Sequence, residues 1–152
     1  MENIELLKKV RIFQGLSDDE LKKFGPIVGE EQFPPQAVII EEGMEGRALF
    51  IIRRGTVTVT KIDGEVETEL VKLVAGEEFG EMSLVEDTVT SARVTAYNDV
   101  ECLIINREPF MQLLNNDLSL SNKVFRNFTK VLSERLRNTS SELVTWKPDI
   151  AF

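Results

Sequence analysis

The fold class that the sequence predicts is a mainly β domain with flanking helices, and two observations predict it. Between residues 30 and 106, short apolar runs alternate with turn residues at intervals of roughly ten residues, a spacing typical of a barrel or jelly roll. On both sides of that stretch, apolar residues recur at helical spacing. We therefore expect N-terminal helices, a β unit and a long C-terminal helix in a single domain spanning residues 1–152.

The N-terminal part, residues 1–29, predicts two short helices. Apolar residues from Ile4 to Phe13 recur every three or four positions, and Gly15 interrupts them. Ser17, followed three residues later by Glu20, has the spacing of a capping box, so a second helix should begin there.

The central part, residues 30–106, predicts short strands. Asp63-Gly64 is a strong hairpin signal between two of them. The strands that we expect are Val38–Ile40, Ala48–Ile52, Thr56–Thr60, about Val66–Val74, Val89–Ala96 and Val100–Ile105.

The C-terminal part, residues 107–145, predicts two helices, the second running from about Leu118 to about Val144. Five of its residues fall near one seam at heptad-like offsets: Phe125, Phe128, Leu132, Thr139 and Leu143. Such a seam could dock on the chain's own β unit, or it could form a two-fold dimer interface. We favour a homodimer through this helix.

The composition excludes several function classes. Lys and Arg total 18 against 26 Asp and Glu, so the formal charge is −8 and binding to nucleic acid or anionic membranes is not expected. Histidine is absent, which removes most zinc sites and the Ser-His and Cys-His nucleophile pairs. Because no nucleophile–base pair or metal cluster can be assembled, we predict neither an enzyme nor a metal site.

The N-terminal residues, the length of the apolar runs and the single cysteine bear on localisation and redox state. The N-terminus lacks a basic region followed by an apolar core, and no apolar run approaches the ~20 residues of a membrane span. The single cysteine, Cys102, cannot form an internal disulfide and lies in an apolar run, so we expect an inert, buried thiol. These features predict a soluble cytoplasmic protein.

The stretch from Gly76 to Ala96 carries the most informative chemistry. Gly80 has no Cβ, so a ligand can approach the main chain there. A short helix beginning near Glu81 would present unpaired N–H groups to an anion, whereas the Glu81 carboxylate would accept hydrogen bonds from sugar hydroxyls and repel phosphate. A ligand with a sugar on one side and a phosphate on the other would use both features.

The residues of this stretch resemble the phosphate-binding cassette of cyclic nucleotide-binding domains. Phe79-Gly80-Glu81 matches the family pattern, and so does the run from Ala92 through Val94 to Ala96. The family includes the bacterial catabolite activators and the regulatory subunits of cyclic-AMP-dependent protein kinase. The resemblance implies a β-roll, or double-stranded jelly roll, over residues 30–106, with the cassette at 76–96.

One position departs from the family pattern. The cassette arginine, which clamps the phosphate in the family, has its place on Thr90, followed by Ser91. A guanidinium binds phosphate through two charge-assisted hydrogen bonds, whereas Thr90 and Ser91 offer only neutral hydroxyls. Arg93 is a possible substitute, but in a regular strand it would face away from Thr90.

The resemblance also implies roles for individual residues. Glu81 would bind the ribose 2′-hydroxyl, and Gly80, Met82 and Ser83 would supply backbone donors to sugar and phosphate. In the C-terminal helix, Thr139 and Ser140 match a Thr-Ser pair that contacts the base in catabolite activators.

Two functions are consistent with these observations. The first is a stand-alone sensor domain that binds cyclic AMP or cyclic GMP and signals to an unknown effector protein through its C-terminal helix. The second is a degenerate domain of the same fold that binds another small ligand, or that serves as a dimerisation and docking module. A Thr90→Arg variant should separate them, because restoring the clamp should raise affinity by about tenfold or more if the pocket is otherwise intact.

Overall fold

The computed structural model describes the backbone of residues 2–87 and 89–146 and the side chains of residues 3–87 and 89–138. Its centre consists of two four-stranded antiparallel sheets with the strand orders β1-β8-β3-β6 and β2-β7-β4-β5. The strands are β1 (Val28–Phe33), β2 (Val38–Ile40), β3 (Ala48–Arg54), β4 (Thr56–Asp63), β5 (Val66–Val74), β6 (Glu78–Phe79), β7 (Arg93–Ala96) and β8 (Val100–Asn106). The predicted jelly-roll class with flanking helices is confirmed.

Helices flank the sheets at both ends of the chain. The α-helices are α1 (Glu2–Lys9), α2 (Asp18–Lys22), α3 (Arg107–Asn115) and α4 (Leu118–Trp146). Short 3₁₀ helices span Arg11–Phe13, Gly25–Ile27 and Glu81–Leu84, and we call the last of these the cassette helix. The predicted capping box is present, since the Ser17 hydroxyl accepts the Glu20 N–H and the Glu20 carboxylate accepts the Ser17 N–H.

Strand β3 separates two apolar cores because its side chains alternate between its two faces. Leu49 and Ile51 pack against the helices, together with Phe13, Phe110 and other buried helical residues. Ile52 packs between the sheets, as does Cys102. Burial raises the pKa of the Cys102 thiol to about 12, so the thiol stays protonated and unreactive at neutral pH.

Helix α4 lies across the N-terminal segment. Leu120, Val124 and Val131 are buried on one face of the helix. On the same side, the Asn127 side-chain amide donates to the carbonyl oxygens of Ile12 at 3.0 Å and Gln14 at 2.8 Å. Within the part of the chain that the structure describes, no helix is both long and apolar enough to span a membrane.

The predicted seam on α4 is covered only in part by the chain's own core. Phe128 is 3% exposed and belongs to the helical core, whereas Leu132, about one turn further along the same side of the helix, is 46% exposed. Leu118 and Leu136 are exposed as well. The side chains of Thr139 and Leu143, which were also predicted to lie in the seam, are outside the described residues.

The predicted strand from Val89 to Ala96 is also shorter than expected, because β7 begins at Arg93. Val89 forms only an isolated bridge with Glu45. The adjoining residue, Thr90, bonds through its backbone to Gly43 and Met44, which holds this segment on a neighbouring loop instead of in the sheet.

Candidate ligand-binding cavity

A cavity of about 480 Å³ lies between the second sheet, the cassette and α4. Strands β2, β4, β5 and β7 supply an apolar wall that includes Ile40, Val59, Val71, Leu73 and Val94. The cassette supplies the polar side. Six of the predicted site residues line it: Gly80, Glu81, Met82, Ser83, Thr90 and Ser91.

Gly80 sets the position of the cassette helix. Its φ is +82°, and a Cβ at this residue would lie 2.6 Å from the Ala48 carbonyl oxygen, so only glycine fits. The left-handed turn brings Glu81 to the first position of the cassette helix. The Glu81 side chain is thereby buried in the cavity wall.

Glu81 has a partner from α4. Its carboxylate forms an ion pair with the guanidinium of Arg135, which also lines the cavity. Glu81 as a residue is only 9% exposed, whereas the Arg135 side chain is 46% exposed, so solvent reaches this pair from the side of α4. The pair joins the cassette directly to the C-terminal helix.

Ser83 is committed to local contacts. Its N–H donates to the Gly80 carbonyl at 3.0 Å inside the cassette turn. Its hydroxyl oxygen lies 2.1 Å from the place where a Cβ on Gly46 would stand, so the absence of a side chain at Gly46 makes room for it.

Thr90 is bound to the loop of residues 41–44 through all of its polar atoms. Its hydroxyl donates to the Glu41 carbonyl and accepts the Met44 N–H at 3.1 Å. Its backbone N–H donates to the Met44 carbonyl at 2.7 Å, and its carbonyl accepts the Gly43 N–H at 2.9 Å. Because a hydroxyl carries one hydrogen, Thr90 has no side-chain donor left for a ligand.

Arg93 does not replace the cassette arginine in this structure. Its guanidinium bonds to Glu41 at 2.7 Å and to Glu67 at 3.4 Å, and it does not line the cavity. The bond between Arg93 and Glu41 raises the pKa of Arg93 and lowers that of Glu41. The neighbouring Ser91 lines the cavity, and its carbonyl oxygen accepts a hydrogen bond from Lys61 at 3.0 Å.

Burial alters the electrostatics where the cassette meets α4. It raises the pKa of Glu78, although the backbone N–H of Arg11, which donates to this carboxylate at 3.4 Å, partly opposes the shift. Burial and the charge of Arg11 lower the pKa of Arg135. Arg11 also pairs with Glu134 of α4 at 3.4 Å, so charges of both signs bridge the N-terminal segment, the cassette and α4.

Residues 30–117, more than half of the chain, match the family model described as the cyclic nucleotide-binding domain. The chain belongs to this family. Mouse cGMP-dependent protein kinase 2 (Mus musculus) is 34% identical over 146 residues, which cover 93% of this chain and 19% of the kinase. The chain thus spans about a fifth of the length of such curated relatives.

Solved structures of other proteins share the fold of this chain. The catabolite activator protein of Thermus thermophilus superposes with a TM-score of 0.79 at 31% identity, over 90% of this chain and 63% of that one. The regulatory subunit of a cAMP-independent protein kinase A from Trypanosoma brucei superposes with a TM-score of 0.66 at 25% identity, over 86% of this chain and 49% of that one.

Neither Glu78 nor Arg135 of this cyclic nucleotide-binding domain was predicted from the sequence to belong to the site, although both line the cavity. Glu78 lies within the cassette but precedes the Phe79-Gly80-Glu81 motif, and Arg135 lies outside the cassette on α4. Arg135 precedes the predicted base-contacting pair, Thr139 and Ser140, which lie on α4 but whose side chains are outside the described residues. An acidic residue buried in the cassette was the signal that a cation had to reach it.

A larger cavity, of about 980 Å³, shares no lining residue with the first. It lies between the end of the cassette helix, α3 and Phe125 of α4, and its charged residues are Arg47, Asp87, Arg107 and Glu108. None of the predicted site residues lines it, so size alone does not identify the cassette cavity as the candidate site.

Proposed function

We propose that the chain acts as a non-catalytic regulatory domain that binds a small ligand in the cassette cavity and passes the change to a partner through α4. The observation that carries this proposal is the ion pair between Glu81 and Arg135. A ligand that binds the Glu81 carboxylate must share it with α4 or displace the Arg135 guanidinium. Binding at the cassette and the position of α4 are therefore coupled.

The geometry of α4 supports such a coupling. Its first half is held by Asn127 and by the buried apolar face that packs against the N-terminal segment. Arg135 lies two turns further along, where Leu132 and Leu136 are exposed. Release of Arg135 would free the second half of α4 while the first half stays docked, and an effector protein could detect that difference.

Cyclic AMP and cyclic GMP are the first ligands to consider, because the family is defined by cyclic nucleotide binding and the curated relatives include cGMP-dependent kinases. The missing cassette arginine weakens this expectation. Loss of one partner of a buried charged pair costs roughly 2–5 kcal/mol, or about 30- to several-thousand-fold in affinity. We therefore expect millimolar binding where an intact cassette would bind in the micromolar range.

A second function is favoured by the bonding of Thr90. Because its hydroxyl is used by the loop of residues 41–44, the position that should clamp phosphate serves a structural purpose instead. The fold also occurs in a regulatory subunit described as belonging to a cAMP-independent kinase. Under this alternative the domain takes a different small ligand, or acts as a dimerisation and docking module.

Titration calorimetry of wild type and Thr90→Arg with cyclic AMP and cyclic GMP tests the first function. We expect the variant to bind one of them at least tenfold more tightly than wild type, which is about 1.4 kcal/mol. Thr68→Arg is the matched control, since it adds the same group at an exposed position of β5 that does not line the cavity. It should leave affinity unchanged.

Hydrogen exchange of the Thr90→Arg complex tests the coupling. Ligand should increase amide exchange in the second half of α4 if Arg135 is displaced. A complex that forms without any change in α4 would contradict the coupling, and a folded Thr90→Arg variant that gains no affinity would contradict cyclic nucleotide binding in this cavity.

A further inference from the structure

We infer that the cassette cavity selects an uncharged ligand with adjacent hydroxyl groups and a flat ring, of the ribonucleoside class, over its cyclic phosphate counterpart. This inference rests on the proposed ligand-binding function and names the chemistry that the same cavity prefers. It rests on three features of the described residues: the donors already in use, the charges that line the cavity and the groups still available to a ligand.

Three of the groups that could donate to a phosphate in or near this cavity are already engaged. The Thr90 hydroxyl donates to a backbone carbonyl, and the Ser83 N–H closes the cassette turn. Arg93, the nearest guanidinium in sequence, is held outside the cavity by Glu41 and Glu67. A phosphate seated near Thr90 would lose water without gaining a charge-assisted bond from any of these groups.

The charges lining the cavity also disfavour an anion. Among the described residues that line it, Glu78 and Glu81 carry carboxylates, and Arg135 carries the one guanidinium. The guanidinium is paired with Glu81, so its charge is already balanced. The whole chain adds a formal charge of −8. A negatively charged ligand is therefore repelled both locally and at longer range.

The groups that remain suit a neutral ligand. A carboxylate has about four acceptor positions, and Arg135 occupies one oxygen of Glu81, so adjacent hydroxyls can still be accepted there. Opposite the cassette, the apolar side chains of Val59, Val71 and Leu73 offer a surface for a flat ring. The cavity volume of about 480 Å³ lies within the range of small-molecule sites, roughly 300–1,000 Å³.

Calorimetric titration of wild type with adenosine and guanosine, each beside its 3′,5′-cyclic monophosphate at the same ionic strength, tests the inference. We expect at least one nucleoside to bind about tenfold or more tightly than its cyclic phosphate. Thr90→Arg should reverse the order by improving only the cyclic phosphate, with nucleoside affinity within about threefold of wild type. Thr68→Arg should change neither.

A second variant keeps the test decisive if Thr90→Arg does not fold. Glu81→Gln retains the shape of the side chain but loses the charged acceptor, so nucleoside affinity should fall by about tenfold. Unchanged nucleoside affinity in this variant, once circular dichroism shows that it is folded, would overturn the inference.

The remaining outcomes separate the inference from the proposed function. If wild type binds a cyclic phosphate more tightly than the corresponding nucleoside, selectivity for a neutral ligand is overturned and the ligand-binding function stands. If none of the four compounds binds to wild type or to folded Thr90→Arg, both are overturned and the docking alternative remains.

Discussion

Glu81 is the residue on which the candidate site depends, and its neighbours determine what it can do. Gly80 brings it into the cavity because the left-handed turn leaves no room for a Cβ beside the Ala48 carbonyl. Arg135 compensates the buried charge, which would otherwise carry a large desolvation penalty. The same carboxylate is therefore available to two partners, a ligand and α4.

Glu78 gives a prediction at the residue scale, on pH dependence. Because burial raises its pKa above the ordinary value of 4.5, the folded chain binds more protons than the unfolded chain between that value and the raised one. This residue therefore lowers the free energy of unfolding as pH rises through that window. Glu78→Gln cannot ionise and still accepts the Arg11 N–H, so its melting temperature should exceed that of wild type at pH 7.

At pH 4 the two proteins should melt at the same temperature, because Glu78 is then protonated in the folded chain. Thermal melts followed by circular dichroism at both pH values provide the measurement. Glu65→Gln, an exposed carboxylate in the turn between β4 and β5, is the control. A Glu78→Gln variant that melts below wild type at pH 7 would show that the buried carboxylate is stabilising.

Gly46 gives a second prediction at this scale. A Cβ there would lie 2.1 Å from the Ser83 hydroxyl oxygen and 2.9 Å from its Cβ, so in Gly46→Ala either Ser83 or the loop that carries residue 46 must shift. Overpacking of this kind costs roughly 1–3 kcal/mol, and each kcal/mol lowers the melting temperature by about 2–4 °C in a chain of this length. Thermal melts measure the effect.

Gly29→Ala is the matched control for Gly46→Ala. Its added Cβ would lie 3.8 Å from the Ile104 carbonyl oxygen, an ordinary contact, so stability should be unchanged or slightly raised. In a Ser83→Gly background, Gly46→Ala should lower the melting temperature much less. An equally large decrease in that background would show that the strain comes from a different contact.

At the scale of elements, the cassette helix is held at both ends by the C-terminal helices. Glu81 meets α4 through Arg135, and at the far end Arg107 of α3 donates to the Glu86 carbonyl at 2.8 Å and pairs with Asp87 at 2.7 Å. A cassette fixed in this way cannot move without altering the contacts of α3 or α4. The C-terminal helices are thus the elements through which a change on ligand binding would be transmitted to a partner.

Asn127 gives a prediction for the docking of α4. It is buried and donates to two carbonyl oxygens of the N-terminal segment, so Asn127→Ala leaves both without that donor. We expect a loss of about 1–3 kcal/mol in the free energy of unfolding. Urea denaturation measures it, and Asn138→Ala, at an exposed position of the same helix, should leave stability unchanged or slightly raised, because alanine is the better helix former. Equal losses in the two variants would show that the two hydrogen bonds of Asn127 are not the cause.

At the scale of the whole molecule, α4 carries exposed apolar residues that the core of the domain does not cover. Leu118, Leu132 and Leu136 are 80%, 46% and 69% exposed and follow a heptad seam. Leu118, Phe125 and Leu132 follow one another at intervals of seven residues, and Leu136 lies four residues after Leu132. These are the two alternating apolar positions of a heptad. A second copy of the chain, docked in parallel about a two-fold axis, would cover this face.

Analytical ultracentrifugation tests the dimer. We expect wild type to sediment as two chains, and Leu132→Glu with Leu136→Glu to sediment as one while keeping the wild-type circular dichroism spectrum. Leu70→Glu, at an exposed position of β5, is the matched control and should stay dimeric. A wild-type protein that sediments as a single chain at high concentration would rule out this interface.

Much of the architecture was predictable because its signals are local. The capping box at Ser17, the hairpin turn at Asp63-Gly64 and the start of a short helix at Glu81 each depend on neighbours within a few residues. The cassette motif likewise indicated the family and the missing arginine at Thr90. The extent of β7 was not predictable in the same way, because bonds from Gly43 and Met44 across the fold hold Thr90 out of the strand.

The sequence by itself therefore determined the alternation of strands, the helical ends and the composition of the cassette, since period and turn chemistry are properties of adjacent residues. Only the tertiary structure decided that Arg135 meets Glu81, that Thr90 has no donor to spare and that Phe128 faces the core. Pairs such as Arg135 and Glu81 are brought together by the packing of α4 on the domain, and no local pattern encodes that packing.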